Sequence, residues 1–228
     1  MALLLMGNKN YSSWSIRPWF FIRHAGLAIE DKVIPLDEVA TSAEIGRFSP
    51  SKRVPVLVLP EGDVVWDSLA IGEYLAETHP ASGVWPVEAA ARRRARSACA
   101  EMHSSFGELR RVLTCNKRAR YAPDAWRKIA GGKEAEAAIE ADIDRVHALW
   151  KMLLDASGGP FLCGAFGYVD AFFVPVVSRF ATYGITSPAD AQAYRARVEA
   201  LPTYTRWEEE AVAETWSIEK YEYDIARR

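Results

Sequence analysis

Three short segments near the start of the chain carry side chains suited to chemistry on a small ligand. They are Tyr11-Ser12-Ser13-Trp14-Ser15, Lys52-Arg53-Val54-Pro55 and Asp67-Ser68. The first offers hydroxyls where a strand gives way to a helix. A helix N-terminus stabilises an anion by about 0.3–1 kcal/mol, up to ~2 when partly buried. A hydrogen bond to a charged group adds roughly 1.5–3 kcal/mol. A thiol with an ordinary pKa of about 8.5 needs ~2.7 kcal/mol to titrate two units lower. Those two effects together supply it, so a serine here can hold a thiol as its thiolate. The thiol has to come from a ligand, because the first 98 residues contain no cysteine. Taken singly, each serine is also what a helix N-cap requires.

The second segment is a proline bend before a strand. A cis X-Pro bond costs only about 0.5–1 kcal/mol, and such a bend would turn the Val54 N–H and C=O outward to pair with an extended peptide. A trans proline at a strand start is the commoner arrangement. In the third segment, backbone N–H groups at a helix start could receive a carboxylate, with the Ser68 hydroxyl beside them. Asp67 could pair with an ammonium group, and both residues would equally serve as plain caps. Together the segments ask for one ligand with an amino-acid head, an extended middle and a thiol.

The elements that must position these residues follow from periodicity. Leu3-Leu4-Leu5-Met6 reads as a short buried strand, and Ile16, Trp19 and Phe20 place a helix after it, with Pro18 in the first turn. Val33-Ile34 suggests a second strand. Val56–Leu59 and Val64–Trp66, separated by Pro60-Glu61-Gly62-Asp63, read as a hairpin, and Ile71, Tyr74 and Leu75 mark a further helix. His79 to Pro86 breaks the pattern as a linker. Beyond it Cys99, Met102, Phe106, Leu109 and Leu113 predict one long helix, and Ile139, Ile143, Val146, Trp150 and Leu153 another, ended by Gly158-Gly159-Pro160. Shorter helices are expected near 168–183, 188–200 and 203–214. Gly167 and Asp170 have capping-box spacing, and Pro175 should kink the helix that follows. The expectation is an α/β first domain over 1–80 and an all-α helical bundle over 87–228.

Bulk composition excludes several classes. The 28 basic and 30 acidic residues leave a net charge of -2, which implies no general attraction to nucleic acid or anionic lipid. The Arg92-Arg93-Arg94 run with Arg96 reads as one solvated helix face. The opening apolar run is too short for a signal peptide, and no segment approaches a membrane span. Cys99, Cys115 and Cys163 form neither a metal spacing nor an even disulfide framework. A reduced, cytoplasmic protein without a metal is expected.

The ligand described above is glutathione, and the chain resembles the cytosolic glutathione transferases over nearly its whole length. The resemblance rests on Val54-Pro55-Val56-Leu57, Asp67-Ser68-Leu69-Ala70-Ile71, Phe161-Leu162-Cys163-Gly164 and Asp170-Ala171-Phe172. It implies a thioredoxin-like first domain followed by the helical bundle. Ser12-Ser13-Trp14-Ser15-Ile16-Arg17 is similar to the zeta-class motif Ser-Ser-Cys-Ser-Trp-Arg, and Ala100-Glu101-Met102-His103-Ser104 resembles a bacterial group that shares Ser-Ser-Trp-Ser. The match makes Ser12 the thiolate-stabilising hydroxyl. Ser13, Arg17, Lys52, Val54, Pro55, Asp67 and Ser68 would hold the peptide. Tyr11, Trp14, Met102, His103 and Ser104 are placed near the second substrate, although His103 also reads as an ordinary helix histidine.

Trp14 stands where the zeta enzymes have cysteine, which speaks against reductive dehalogenation and disulfide exchange. Zeta isomerases hold an acidic substrate with an arginine on the helix after the capping box. Arg179 falls about one turn early on that helix and is given no such role. The resemblance implies conjugation of glutathione, as co-substrate, to a small electrophile by a detoxifying homodimer. Two alternatives stay open: cis-trans isomerisation of the maleylacetoacetate type, and a non-catalytic binding module. Trp216, Tyr221 and Tyr223 would either close over the cleft or pack down as a tail.

Overall fold

A computed structural model describes all residues from Met1 to Arg228. Its sheet has the order β2-β1-β3-β4, built from β1 (Leu3–Met6), β2 (Glu30–Val33), β3 (Val56–Val58) and β4 (Val64–Val65). β1 runs parallel to β2 and antiparallel to β3, and β3 pairs antiparallel with β4 through Leu57↔Val65 and Val58↔Val64. Helix α1 (Ser13–His24) crosses from β1 to β2, the short α2 (Thr41–Gly46) precedes β3, and α3 (Ser68–Thr78) follows β4. This is the thioredoxin-like arrangement, with a helical part after it.

The strand period of two explains how the thin sheet is buried on both faces. Leu4 and Met6 of β1 point into a core of 51 buried residues that continues unbroken into the helical part. Leu5, between them, faces the other way and joins Ile34, Ile45 and Val56 in a small cluster under α2.

The second strand lies three residues earlier than Val33-Ile34 suggests. It is the sheet's edge, so it carries Glu30, Asp31 and Lys32 in place of an apolar run, a usual device against edge-to-edge pairing. Asp31 is tied inward by Arg23 and Lys9. Ile34 lies just past the strand, fully buried, with its N–H still donating to Met6 O at 2.8 Å.

The helical part comprises α4 (Ala89–Ser104), α5 (Gly107–Val112), α6 (Lys133–Ser157), α7 (Tyr168–Thr182), α8 (Ala189–Glu199) and α9 (Pro202–Ala213). The helix expected to run unbroken through Cys99 and Leu113 is two helices. The chain turns at Phe106, whose φ of 60° lies in the left-handed region, and Asp142 of α6 caps the new start by accepting from Leu109 N at 3.0 Å. Phe106, Leu109 and Leu113 stay buried through the break, so the apolar stripe survives while the backbone does not. α6 matches its expected stripe: Ile139, Ile143, Val146, Trp150 and Leu153 are all buried, and Gly158 ends it at φ 73°. α7 continues through Pro175. At its start the buried Asp170 carboxylate accepts from Leu162 N at 3.0 Å and Gly167 N at 2.9 Å, which fixes the loop before the helix. No helix is long and apolar enough to cross a membrane.

Candidate active site

The first turn of α1 sits at the end of β1, and the loop between them is tightly set. Gly7 packs closely there: a Cβ would lie 2.6 Å from Leu36 Cδ1, so that side chain would have to shift to admit one. Its N–H donates to Ser15 Oγ at 3.0 Å. Ser12 caps the helix: its Oγ accepts weakly from Ser15 N at 3.4 Å and donates to Ser15 Oγ at 2.9 Å. No acidic side chain occupies the first turn, so nothing local offsets the positive end of the helix. Ser12 and Ser13 are 7% and 6% exposed.

Both serines open onto a cleft of about 370 Å³. Its floor comes from Tyr11, Ser12, Ser13 and Trp14, and its far wall from Arg110, Thr114 and Arg179. A second cleft, of about 320 Å³, is lined by Arg53, Val54, Pro55, Asp67 and His103. Trp14 lines both, so the two clefts lie on either side of one side chain. The Val54-Pro55 bond is cis, and neither the N–H nor the C=O of Val54 has a partner within the chain. Asp67 caps α3 by accepting from Leu69 N at 2.9 Å, and its other oxygen lies 3.2 Å from His103 Nε2. Ser68 is fully buried with its hydroxyl unpartnered.

The structure thus brings Ser12, Ser13, Trp14 and Tyr11 to one cleft, and Val54, Pro55, Asp67 and His103 to the other. It separates several residues from both. Met102 is fully buried in the core, and Ser104 is exposed with its hydroxyl turned back to Ala100 O at 2.9 Å. His103, grouped with these two from sequence, faces Asp67 instead of the serines. Lys52 is exposed and lines neither cleft. Arg17 is buried behind the site, between the rings of Trp14 at 4.2 Å and Phe172 at 4.5 Å. Its Nε and Nη1 have no partner, and burial, with Arg179 and Arg110 nearby, lowers its pKa to about 9.

Arg179, given no substrate role from its place along α7, lies at this site. It is buried, lines the larger cleft, and donates to Ser13 Oγ at 3.1 Å and Leu113 O at 2.6 Å. Arg110 and Thr114 also line that cleft without having been singled out from sequence. Of the three C-terminal aromatics only Tyr221 does so; Trp216 is 38% exposed, and Tyr223 packs on Tyr121 with ring centroids 6.3 Å apart. The terminal segment crosses the cleft mouth, where Lys220 bridges to Asp37 at 2.7 Å. Tyr11 is held from behind by Glu222 and Arg118, each at 2.5 Å from its hydroxyl. The one cysteine at this site, Cys115, has its thiol pushed up by burial. It offers no thiolate at neutral pH. No three His, Cys, Asp or Glu side chains gather as a metal site.

With this geometry in view, the family model for the glutathione S-transferase N-terminal domain matches residues 11–78. Those residues are similar to that domain and make up less than a third of the chain. They carry Ser12, Val54 and Asp67 together. The chain is also similar to a maleylacetoacetate isomerase from Dictyostelium discoideum, 30% identical over 123 residues, covering 54% of this chain and 52% of the relative. A probable maleylacetoacetate isomerase from Caenorhabditis elegans is 32% identical over 89 residues, or 39% of this chain and 40% of the relative. The matched stretches thus span about half or less of those relatives' own length. Among solved structures, a glutathione transferase homolog from Burkholderia GL BGR1, with bound glutathione, superposes with TM-score 0.68 at 21% identity, covering 93% of this chain and 99% of that one. A tau class glutathione S-transferase from mango gives TM-score 0.70 at 20% identity over 92% and 96%. The glutathione S-transferase fold therefore extends past the matched domain into the helical part.

Proposed function

We propose that the protein is a glutathione transferase that joins the glutathione thiolate to a small electrophile. The observation that carries this reading is the Ser12 hydroxyl at an uncompensated helix N-terminus, opening onto a cleft that shares Trp14 with a peptide-sized second cleft. Glutathione would lie extended in the second cleft, with its backbone paired to Val54 and its amino-acid head at the start of α3. The Asp67 carboxylate would face the ammonium and the α3 N–H groups the carboxylate. The sulfur would then reach past Trp14 to Ser12.

In that pose the thiol gives its proton to solvent, and Ser12 turns its O–H from Ser15 toward the sulfur. Ser15, 2.9 Å away, can then donate to the Ser12 oxygen, so that one hydroxyl polarises the next. The thiolate attacks the electrophilic carbon, a C–S bond forms, and the leaving group departs with the bonding pair. Holding both reactants in adjoining clefts supplies much of the rate through orientation. The same reading places the boundary between a 1–80 glutathione domain and an 87–228 helical domain at the linker. It also makes the protein a cytoplasmic, detoxifying homodimer.

The names of the two isomerase relatives favour a second reading, in which glutathione is recycled during a cis-trans isomerisation. Calorimetric titration with glutathione, followed by assay of thiol loss with a neutral benzyl halide, tests the first. Saturable binding with stoichiometric thiol consumption supports transfer, whereas turnover of a cis-diene diacid with no loss of glutathione supports isomerisation. Absence of glutathione binding contradicts both.

The capping and ligand roles of Asp67 can be separated. Asn caps a helix as well as Asp does, so Asp67→Asn should leave stability unchanged while removing the charge. Asp67→Ala should cost about 1 kcal/mol of stability. Both variants should raise the Kd for glutathione about tenfold, roughly 1.4 kcal/mol. Unaltered affinity in the Asn variant would show that Asp67 serves α3 alone.

A further inference from the structure

The backbone of Lys9 and Asn10, in the loop just before Ser12, is held by the helical part and not by its own domain. Both residues are buried, so their N–H and C=O groups need partners. The Lys9 N–H donates to Glu214 Oε1 at 2.7 Å, and the Asn10 N–H to Glu214 Oε2 at 3.1 Å. The Lys9 carbonyl accepts from Trp207 Nε1 at 2.9 Å, and the Asn10 carbonyl from Lys117 N at 3.3 Å. The Asn10 side chain donates to Asn116 Oδ1 at 3.1 Å and accepts from Arg118 N at 3.0 Å. Every one of these partners lies beyond the linker.

The hold is passed on to Ser12 through a tight turn, in which the Asn8 carbonyl accepts from Tyr11 N at 3.2 Å and Ser12 N at 2.8 Å. Glu214 differs from the other partners in two respects. It alone serves two of the loop's N–H groups, and it does so with a carboxylate, whose hydrogen bonds are stronger than those of a neutral acceptor. It caps the end of α9 and is itself fixed there, its carbonyl accepting from Arg118 Nη1 at 3.0 Å. Burial pushes its pKa up, and the N–H groups of Lys9 and Asn10 pull against that. Glu214 lines neither of the two site clefts, so anything it does for the chemistry runs through the loop.

We propose that Glu214 is a positioning residue for the reaction at sulfur. By fixing the N–H groups of Lys9 and Asn10 it sets where the Ser12 hydroxyl points, and it ties ionisation of the bound thiol to the docking of the C-terminal segment. This assignment rests on the glutathione transferase reading and adds a residue that touches neither reactant. Small displacements matter at such a site, since a misplacement of about 1 Å can lower a rate by up to ~10²-fold. The contacts proposed for the peptide at Val54 and Asp67 share none of these bonds, so peptide affinity and thiol ionisation should separate.

The test compares the full-length wild type with Glu214→Gln and Glu210→Gln. Glu214→Gln keeps the size and one acceptor but turns an NH2 group toward the other N–H. Glu210 is the comparator, because it lies on the same helix and meets Lys9 only through Nζ, which Asp31 also accepts from at 3.1 Å. In Glu214→Gln the calorimetric Kd for glutathione at neutral pH should stay within about threefold of wild type, while the pKa of the bound thiol, read from thiolate absorbance, should rise by about one unit. With a neutral benzyl halide, at a pH below both thiol pKa values, kcat should fall about tenfold. Glu210→Gln should match the wild type in all three. Should Glu214→Gln fail to fold, Glu214→Asp, which keeps the charge one methylene short of the loop, takes its place with the same expectation. A lowered urea midpoint with an unchanged bound-thiol pKa removes Glu214 from the role and leaves the transferase reading intact. An equal pKa rise in Glu210→Gln, or a Kd that worsens in step with the pKa, also overturns the assignment. Failure of the wild type to bind glutathione overturns the transferase reading itself.

Discussion

Ser12→Ala is expected to lower kcat/KM for glutathione addition about 10²-fold, about 2.7 kcal/mol. Its Kd for glutathione should stay within a few-fold of wild type. The physical reason lies in what the hydroxyl touches. In the free protein its hydrogen is parked on Ser15 Oγ, 2.9 Å away, and its oxygen is only a weak cap for Ser15 N at 3.4 Å. Removing it therefore costs the fold little and costs the bound thiolate a charged hydrogen bond of roughly 1.5–3 kcal/mol. The peptide contacts at Val54 and Asp67 are untouched, so affinity should persist while ionisation fails. Ser15→Ala should give a smaller loss, about tenfold, because Ser12 then donates without support from behind. A kcat/KM in Ser12→Ala within threefold of wild type, measured below the pKa of the free thiol, would remove Ser12 from the chemistry. A parallel loss of binding would point to a collapsed site.

The largest expected stability effect lies one turn into α3. A Cβ on Gly72 would lie 2.3 Å from Tyr168 Cε1 and 2.6 Å from Cδ1. That ring cannot step aside. It is fully buried, its hydroxyl donates to Ser68 O at 2.6 Å, and its faces meet Phe21, Trp85 and Phe172 at centroid distances of 5.4, 5.8 and 5.4 Å. Gly72→Ala would gain about 1 kcal/mol of helix propensity, yet α3 must move off α7 to admit the methyl group. Overpacking of a closed core typically costs 1–3 kcal/mol, occasionally more, and a contact this short belongs at the upper end. A net loss of about 2 kcal/mol is expected for Gly72→Ala and more for Gly72→Val, read from the urea midpoint at constant m-value. The displaced helix also carries Asp67 and Ser68, so glutathione affinity should fall with stability. An unchanged or raised midpoint in Gly72→Ala would contradict the close approach of α3 to Tyr168.

Much of this architecture is legible in the sequence wherever apolar spacing and burial coincide. β1 and α6 are the clearest, since Leu3–Met6 and the stripe from Ile139 to Leu153 each face a core. The hairpin is legible too, because Pro60 to Asp63 can only turn. β2 is legible only at its end, Val33, since Glu30, Asp31 and Lys32 of this edge strand carry no apolar run. The break between α4 and α5 is invisible for the opposite reason: Phe106 keeps its place in the stripe although its backbone has left the helix, and the cap that allows this comes from Asp142, far along the chain.

The site divides in the same way. Ser12, Val54 and Asp67 sit at element ends, where local chemistry names them. Arg110 and Arg179 lie inside helical patterns, where an arginine reads as solvent-facing. Only the fold shows Arg179 satisfied by Leu113 O and Ser13 Oγ. His103 has a sound place on α4, but which cleft it faces depends on how α4 docks against the start of α3. The sequence leaves the terminal segment two places, over the cleft or packed down, because it shows no partner for it. The structure supplies Asp37 for Lys220 and Tyr121 for Tyr223, whose N–H donates to the Tyr121 hydroxyl at 3.2 Å.

The most direct measurement is a pH titration of the thiolate absorbance of glutathione bound to the wild-type protein and to Ser12→Ala. The wild type should hold the sulfur ionised about two units below the ordinary thiol value of ~8.5, and the variant should return it to near that value with binding retained. A bound sulfur that titrates like the free peptide, or a lowered pKa that survives loss of the Ser12 hydroxyl, would contradict the account.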